Sequence, residues 1–569
     1  MEVTPEISAY KYILDLKYFF SSPAEIRRLT SQREASSTRI SWAFHNIRRK
    51  LLVTGVAFAT IAGGAHAADF KFAGPLDAYT LDPHAVSNTL IFAVLSNVYE
   101  PLVRRGPDLS LQPALATAWS QVDDTTWEFT LRQGVKFSNG DDFKADDVVF
   151  SFTRAKAGGV KANLASIASI EKVDDYKIRL KTVTTDPILP NEIVNWLIMD
   201  KKWAEANGAV QPGSANNTTE TFANRNTNGT GPYVIKQRDP GVKTVFAANP
   251  SWWDKRSGNV DNATFFVIPN PSTRVSALIS GEVDMIDGLP PQDADRVGKT
   301  DGLRVQAGPD LRTIYLQPDV ARDNLIFGSE KDKNPFKDVR VRQAMQLSID
   351  PVAIQKRIMR NFSVPDGLPI AREVNGFDPA IGEPVKLDLD KAKELMKEAG
   401  YEKGFAVTLD CTNDRFMNDE ATCIAIAGSL AKIGIKVEPR AQATSRWATQ
   451  INPPEYNTSL ALLGYSPATY DAQLFLTSIA ATRDPKSGLG AFNIGGYSNP
   501  DVDRLIGEIA KEKDQEKRKG LIQQAFKIIK TDVAFIPLHQ LNILWGVKNN
   551  ITVVQPADLA YPLRYFTVK

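Results

Sequence analysis

The chain has 569 residues, with 68 Lys and Arg against 66 Asp and Glu and 43% hydrophobic residues. A balance this close to neutral gives no electrostatic basis for nucleic-acid binding, and the length calls for two or more domains instead of a single core. Only two cysteines and four histidines are present, a poor supply for metal or nucleophile chemistry.

From the amino terminus, Arg48-Arg49-Lys50 precede an uncharged apolar run of about 14 residues (LLVTGVAFATIAGG), which ends at Ala65-His66-Ala67. A basic flank, a short apolar run and small residues in the A-x-A arrangement describe a secretory signal peptide. The run is shorter than the ~20 residues that span a bilayer. Residues 1–67 are therefore expected to be leader and signal peptide, with the mature chain starting at Ala68. Residues 1–46 form an upstream extension and are set aside from the fold. No cysteine lies at the cleavage point, so the exported protein is expected in the periplasm without lipid attachment. The leader holds nine of the basic and five of the acidic residues, which leaves 59 and 61, a net of −2. No further hydrophobic stretch in the mature chain is long enough to span a membrane.

The first clear pattern is WEFTL at 127–131, strict apolar–polar alternation and so a half-buried strand. Residues 173–181 (VDDYKIRLK) look similar, with a turn at Asp174-Asp175. A helix is expected near 146–154, where Asp146 and Asp147 suit a first helical turn. Residues 97–225 thus read as rich in antiparallel strands. Beyond about 335 the texture changes. Asp350-Pro351 is a helix start, with an N-cap acid and Pro at the first helical position. DLDKAKELMKEAG (388–400) places Ala392, Leu395, Met396 and Ala399 on one face and stops at Gly400. A strand at 405–410, a helix at 421–432 and a strand at 435–438 form a βαβ unit of a parallel sheet. A further apolar run, 459–463, ends at Gly464.

The two cysteines, Cys411 and Cys423, bracket the loop between the first strand of that unit and its helix. In an oxidising compartment the default is a disulfide, and closing a loop of this length stabilises by roughly 3 kcal/mol; a pair of buried free thiols is the alternative. Ligands of open α/β sheets bind outside the carboxyl ends of the strands. The cysteine loop and the loop at 465–471 both leave such ends, and two polar loops there make a ligand floor.

Catalytic signatures are missing. Gly464-Tyr465-Ser466-Pro467-Ala468 lacks the second glycine of a nucleophile elbow, and there is no phosphate-binding glycine loop, H-E-x-x-H or C-x-x-C. His84 and His539 are the only histidines beyond the leader. A glycosidase needs only two carboxylates, which the composition leaves open. No cofactor motif is present, and no enzymatic activity is expected.

Taken together, LQPALATAW (111–119), WEFTLRQGVKF (127–137), Asn139-Gly140 and ADDVVFSFTR (145–154) resemble the family 5 extracellular solute-binding proteins, the peptide-, nickel- and opine-type receptors of ABC importers. GTGPY (229–233), NPSWWD (249–254), GEVD (281–284), VRVRQA (339–344), KEAG (397–400) and GYSN (496–499) continue the resemblance in family order. It implies an α/β two-lobed periplasmic-binding-protein fold (type II, cluster C) with an extra strand-rich subdomain. Mapped here, lobe one is 68–310 plus 540–569, with the subdomain at 97–225. Lobe two is 311–539, and the hinge lies near 308–313 and 537–542. Trp119, Trp127, Trp252 and Trp253 read as packing anchors. The implied partners are a small-molecule or peptide ligand and the permease and ATPase subunits in the inner membrane, with the receptor itself a monomer.

In dipeptide-binding relatives an Arg in the loop aligned with 414–416 grips the ligand carboxylate, and an Asp in the loop after the later strand grips the amine. Arg415 keeps the first anchor; a guanidinium holds a carboxylate through two parallel charge-assisted bonds. The alternative is that Arg415 simply pairs with Asp414 or Asp419. At the second anchor this chain has Ala468, with Asp471 three residues on. Either Asp471 substitutes, or the ligand lacks a free α-amine there, as in an acylated or opine-like acid; the second is favoured slightly, with an ordinary di- or oligopeptide as runner-up. Asn413 and Asn418 are further polar candidates, and Tyr465, Tyr470, Trp447 and Thr80 are candidate walls. His84, in an LDPH turn, reads as structural, and no metal site is expected.

Overall fold

The computed structural model describes residues 67–214 and 220–569. The leader and export signal expected at 1–67 lie, but for Ala67, outside the described residues. No helix among the described residues is long and apolar enough to cross a membrane.

The frame is one eleven-stranded mixed sheet. Two long strands, Leu303–Pro318 and Ile536–Lys548, run antiparallel through its middle. On one side of this pair lie Leu460–Tyr465, Phe405–Thr412 and Ile435–Gln442. On the other lie Met285–Asp287, Ala68–Gly74, Val260–Val267, Lys243–Ala248 and Tyr233–Asp239. Ile536–Lys548 is buried on both faces along nearly its whole length, and Leu303–Pro318 from Thr313 onward, as central strands covered on both sides must be. Along Ile536–Lys548, Ile543, Trp545 and Val547 enter one hydrophobic core and Leu544 another, following the two-residue period of a strand.

The cores separate along this pair. Three draw their buried residues from 70–303 and 543–566, and two draw theirs from 311–541 with Ala557 added. The ladder between the long strands is interrupted where these regions meet. Pro309 pairs with Asn542 and Thr313 with Gln540, so Asp310, Leu311 and Arg312 stand against the single residue Leu541. Surplus residues in one strand bend it and re-aim their side chains.

Local signals produced the expected elements beyond residue 335. Asp350 accepts from the Val352 and Ala353 N–H groups at 3.0 Å, starting the helix Pro351–Arg357. Asp388 caps Leu389–Glu398, and Gly400 follows with φ +81°, a conformation that favours glycine. The βαβ unit is Phe405–Thr412, Asp419–Ala431 and Ile435–Gln442, with the two strands parallel. The strand-rich region holds a four-stranded antiparallel sheet and the helix Ala145–Ala157, where the Asp147 carboxylate accepts the Lys144 N–H at 2.8 Å. The turn expected at Asp174-Asp175 instead closes a hairpin whose first strand, Ile167–Asp174, the sequence does not reveal. Most of that strand is exposed, so it carries no apolar alternation to read. The tryptophans are anchors: Trp252 and Trp253 donate their indole N–H to buried Glu100 at 3.3 and 2.7 Å, and Trp127 donates to the Asp186 carbonyl.

Cys411 and Cys423 form a disulfide, and both are fully buried. It ties the end of Phe405–Thr412 to the second turn of Asp419–Ala431. Replacing both cysteines by alanine should lower the unfolding free energy by about 3 kcal/mol in the chain-entropy account. Thiol titration of the native protein should find no free thiol; two would remove the disulfide.

Candidate functional site

Where the cores meet there is a cavity of about 730 Å³. Its lining comes from residues 83–197, from the ladder break at 310–312, and from Arg415, 464–474 and 557–559. Such a volume lies in the range of small-molecule sites. Each segment arrives for a structural reason. Phe405–Thr412 and Leu460–Tyr465 are parallel neighbours, so the loops after them leave the same sheet edge. The bulge supplies Asp310, Leu311 and Arg312 together.

Arg415 lines this cavity, and the pairing alternative does not hold. Asp414 accepts from the Thr444 hydroxyl and N–H, while Asp419 accepts the Thr412 hydroxyl and the Arg415 and Phe416 backbone N–H groups. Neither carboxylate takes the guanidinium. It lies over the rings of Trp447 at 5.0 Å and Phe416 at 5.1 Å, and among the described residues no acid pairs with it. Arg415 retains solvent-exposed surface, yet protein surrounds enough of it that burial, followed by the neighbouring Arg312 charge, pushes its pKa down from the usual guanidinium value. Arg312 approaches the Asp310 carboxylate at 3.5 Å.

Tyr465 and Tyr470 also line the cavity. Tyr470 sits at φ +61°, a costly backbone conformation for a large side chain. Its N–H donates to the Pro467 carbonyl, its carbonyl accepts from Asn375, and the Arg105 guanidinium lies 3.9 Å from its ring centre. Arg105 also donates to the Thr469 carbonyl and to Asn191. Trp447 does not line the cavity; it supports Arg415 from behind.

Asp471 is turned away from the cavity. Both its oxygens are held by Arg518, at 2.6 and 2.7 Å, and it also accepts from Asn375 and the Gln473 N–H. Asn413 and Asn418 do not line the cavity either, and Asn418 donates to the Ile358 carbonyl. Thr80 is buried against Asn224 and the Asp82 N–H. His84 is fully buried, with Nε2 on the Leu197 carbonyl, and burial pushes its pKa down to about 4.

The sequence reading did not single out Arg312, Asp310, Glu192 or Asp558. The first two lie within the stretch read as a hinge; the others sit in segments without periodicity. Glu192 accepts from the Ser166 hydroxyl, and among the described residues no cation pairs with it. Burial, followed by the nearby Asp186 carboxylate, raises its pKa to about 8. Burial also raises Asp558. Among the described residues, Arg415 is thus a cavity-lining guanidinium without an ion pair, and Glu192 and Asp558 are cavity-lining carboxyl groups without one.

A sequence model of the bacterial extracellular solute-binding proteins, family 5 Middle, matches residues 110–487. Glutathione-binding protein GsiB of Escherichia coli (strain K12) is 26% identical over 526 residues, covering 89% of this chain and 95% of the relative. Among solved structures, DppA from Helicobacter pylori in complex with peptide STSA matches with a TM-score of 0.70 at 24% identity, over 88% of this chain and 98% of that one. AgaA in complex with agropinic acid, from A. tumefaciens R10, matches with a TM-score of 0.68 at 22% identity, over 88% and 99%.

Two outcomes follow from this geometry. Removing one partner of the buried Asp471–Arg518 pair leaves the other charge stranded, so Asp471→Ala should cost about 3–5 kcal/mol of stability in denaturant unfolding. Glu192 titrates higher folded than unfolded, so between its ordinary value of 4.5 and about 8 the folded state binds the extra proton. Its contribution to stability is then present at low pH and lost as pH rises through that window. Glu192→Gln should match the wild-type melting temperature at pH 4.5 and exceed it at pH 8.5; parallel curves across the range would mean Glu192 is not shifted.

Proposed function

The chain belongs to the bacterial extracellular solute-binding proteins, family 5, and on that premise we propose that it is the periplasmic receptor of an ABC importer, capturing a small carboxylate-bearing solute, peptide-like or opine-like. The observation that carries this reading is the Arg415 guanidinium, held against two rings, lining the cavity and free of any acid among the described residues. An uncompensated guanidinium inside a partly desolvated cleft is a place for an anion, because a carboxylate there restores the charge balance and makes two parallel hydrogen bonds. The ligands named for the relatives, glutathione, the peptide STSA and agropinic acid, all carry carboxylates.

Capture is by closure of two lobes, 68–310 with 540–569 and 311–539, about a hinge at 308–313 and 537–542. The separation of the cores along the long strand pair and the ladder break at 310–312 support this division. A break in backbone pairing lets a few residues absorb rotation while the two packed halves move as bodies. The protein reaches the periplasm through a cleaved signal peptide, without a lipid anchor. As a monomer, it hands the solute unchanged to a permease driven by ATPase subunits.

Native mass spectrometry of the protein purified from periplasm should show a bound small acid. Arg415→Ala should lose that adduct and weaken binding about 100-fold or more, the scale of a lost bidentate charge-assisted contact. The empty variant should melt within a few degrees of wild type, because the side chain makes no ion pair among the described residues and gives up only its contacts with the Trp447 and Phe416 rings. Retained affinity in Arg415→Ala would remove the anion grip. Chemical conversion of the released molecule would replace the receptor with an enzyme.

A further inference from the structure

The cavity is also lined by an acid with no cation against it among the described residues, chemistry opposite to that of Arg415. Glu192 lines it, as the last residue of the helix Leu189–Glu192 and close to Ser166, another lining residue, whose hydroxyl donates to its carboxyl group. Behind it is Asp186, only 6% exposed. The Ile188 N–H donates to Asp186 Oδ1, and the Asp186 carboxylate otherwise meets only the Glu192 carboxyl group and the Ser166 hydroxyl, with no cation against it among the described residues. The charged groups around this corner are Asp186, Asp471, Arg518, Arg105, Tyr470 and Asp558. Arg518 is consumed by Asp471, and Arg105 is spread over Tyr470, Asn191 and the Leu109 and Thr469 carbonyls. The neighbourhood thus carries more carboxyl groups than cations, and Glu192 and Asp186 are held together by a shared proton instead of a cation. Buried carboxylates without a cation are costly, and a cation with N–H donors relieves that cost.

We propose that Glu192, backed by Asp186 and Ser166, holds the ammonium group of a zwitterionic, amino-acid-like ligand whose carboxylate is taken by Arg415. The amine subsite then comes from residues 166–192 and not from the loop position occupied by Ala468. This corrects the inference that the missing acid at 468 favours a ligand without a free amine, and it selects peptides with a free amino end over acylated acids. The proposal rests on the receptor reading and narrows its ligand class.

The test uses isothermal titration with glutathione and Met-Leu, each beside its N-acetylated form, and with agropinic acid as an amine-free acid. The proteins are wild type, Glu192→Gln and Arg415→Ala. Glutamine keeps the shape of Glu192 and mimics its protonated form, so the variant folds; its melting temperature checks this. In wild type, an amine-bearing peptide should bind at least about 10-fold more tightly than its acetylated form, the scale of one charged hydrogen-bond partner. Glu192→Gln should erase that difference by weakening only the amine-bearing probe, and Arg415→Ala should weaken both forms. Equal binding of free and acetylated peptide, or wild-type affinity for the free peptide in Glu192→Gln, overturns the amine subsite while leaving Arg415 intact. Binding of agropinic acid alone does the same. Wild-type affinities in Arg415→Ala, or no binding of any probe, overturn the receptor reading and this proposal with it.

Discussion

The antiparallel pair formed by Leu303–Pro318 and Ile536–Lys548 is the constraint on which the rest of the molecule depends. Each strand spends one end in each set of cores, so every other strand of the large sheet takes its place relative to them. A strand pair buried on both faces is held by backbone hydrogen bonds and by apolar side chains that alternate between two cores, which leaves little freedom in register. The register nonetheless shifts twice, by one residue between Ile314 and Tyr315 and more severely between Pro309 and Thr313. Three residues opposite one cannot all continue the ladder, and the excess is turned out into the cavity as Asp310, Leu311 and Arg312. The break that the proposed hinge relies on therefore also supplies part of the cavity lining.

Around this cleft the charges fall into two groups with different work. Asp82–Arg154 and Asp471–Arg518 are bidentate pairs sealed from solvent, each with further hydrogen bonds that complete the carboxylates. Such pairs add little net stability compared with apolar packing, but they strongly resist losing one partner, and so they hold the segments that carry them. Asp471–Arg518 fixes the loop that presents Tyr470 in its positive-φ conformation. Arg415 and Glu192 are the complement: charged or titratable, lining the cavity and without an opposite charge among the described residues. In the proposed reading a ligand supplies those opposite charges.

The aromatic rings around Arg415 add direction. A guanidinium laid over Trp447 and Phe416 keeps its charge on a face that is only weakly hydrated, with its N–H groups left for a planar partner. The disulfide at Cys411 and Cys423 limits the travel of the same loop at both of its ends.

Much of the scaffold was legible in the linear chain because its signals are local. Asp350-Pro351, Asp388 with Gly400, and the alternation at 127–131 each act within a turn or a strand, and neighbours in sequence suffice to read them. The same locality made the loop carrying Arg415 and the cysteine bridge recognisable, since a strand, a loop and a helix follow one another without interruption. Ile167–Asp174 escaped because an exposed strand has no apolar period. Asp471 and Glu192 could be distinguished only by folding. Both are single acids in short polar stretches, and the partner that occupies one, Arg518, stands 47 residues away, while the groups that leave the other unmatched come from several segments. Whether a charge is spent or open depends on which distant groups reach it through space. The sequence by itself determined the elements with strong local signals, the family and an arginine in the loop after Phe405–Thr412; the tertiary structure alone decided which charges are paired and which line the cavity without a partner, because pairing depends on distant segments meeting in space.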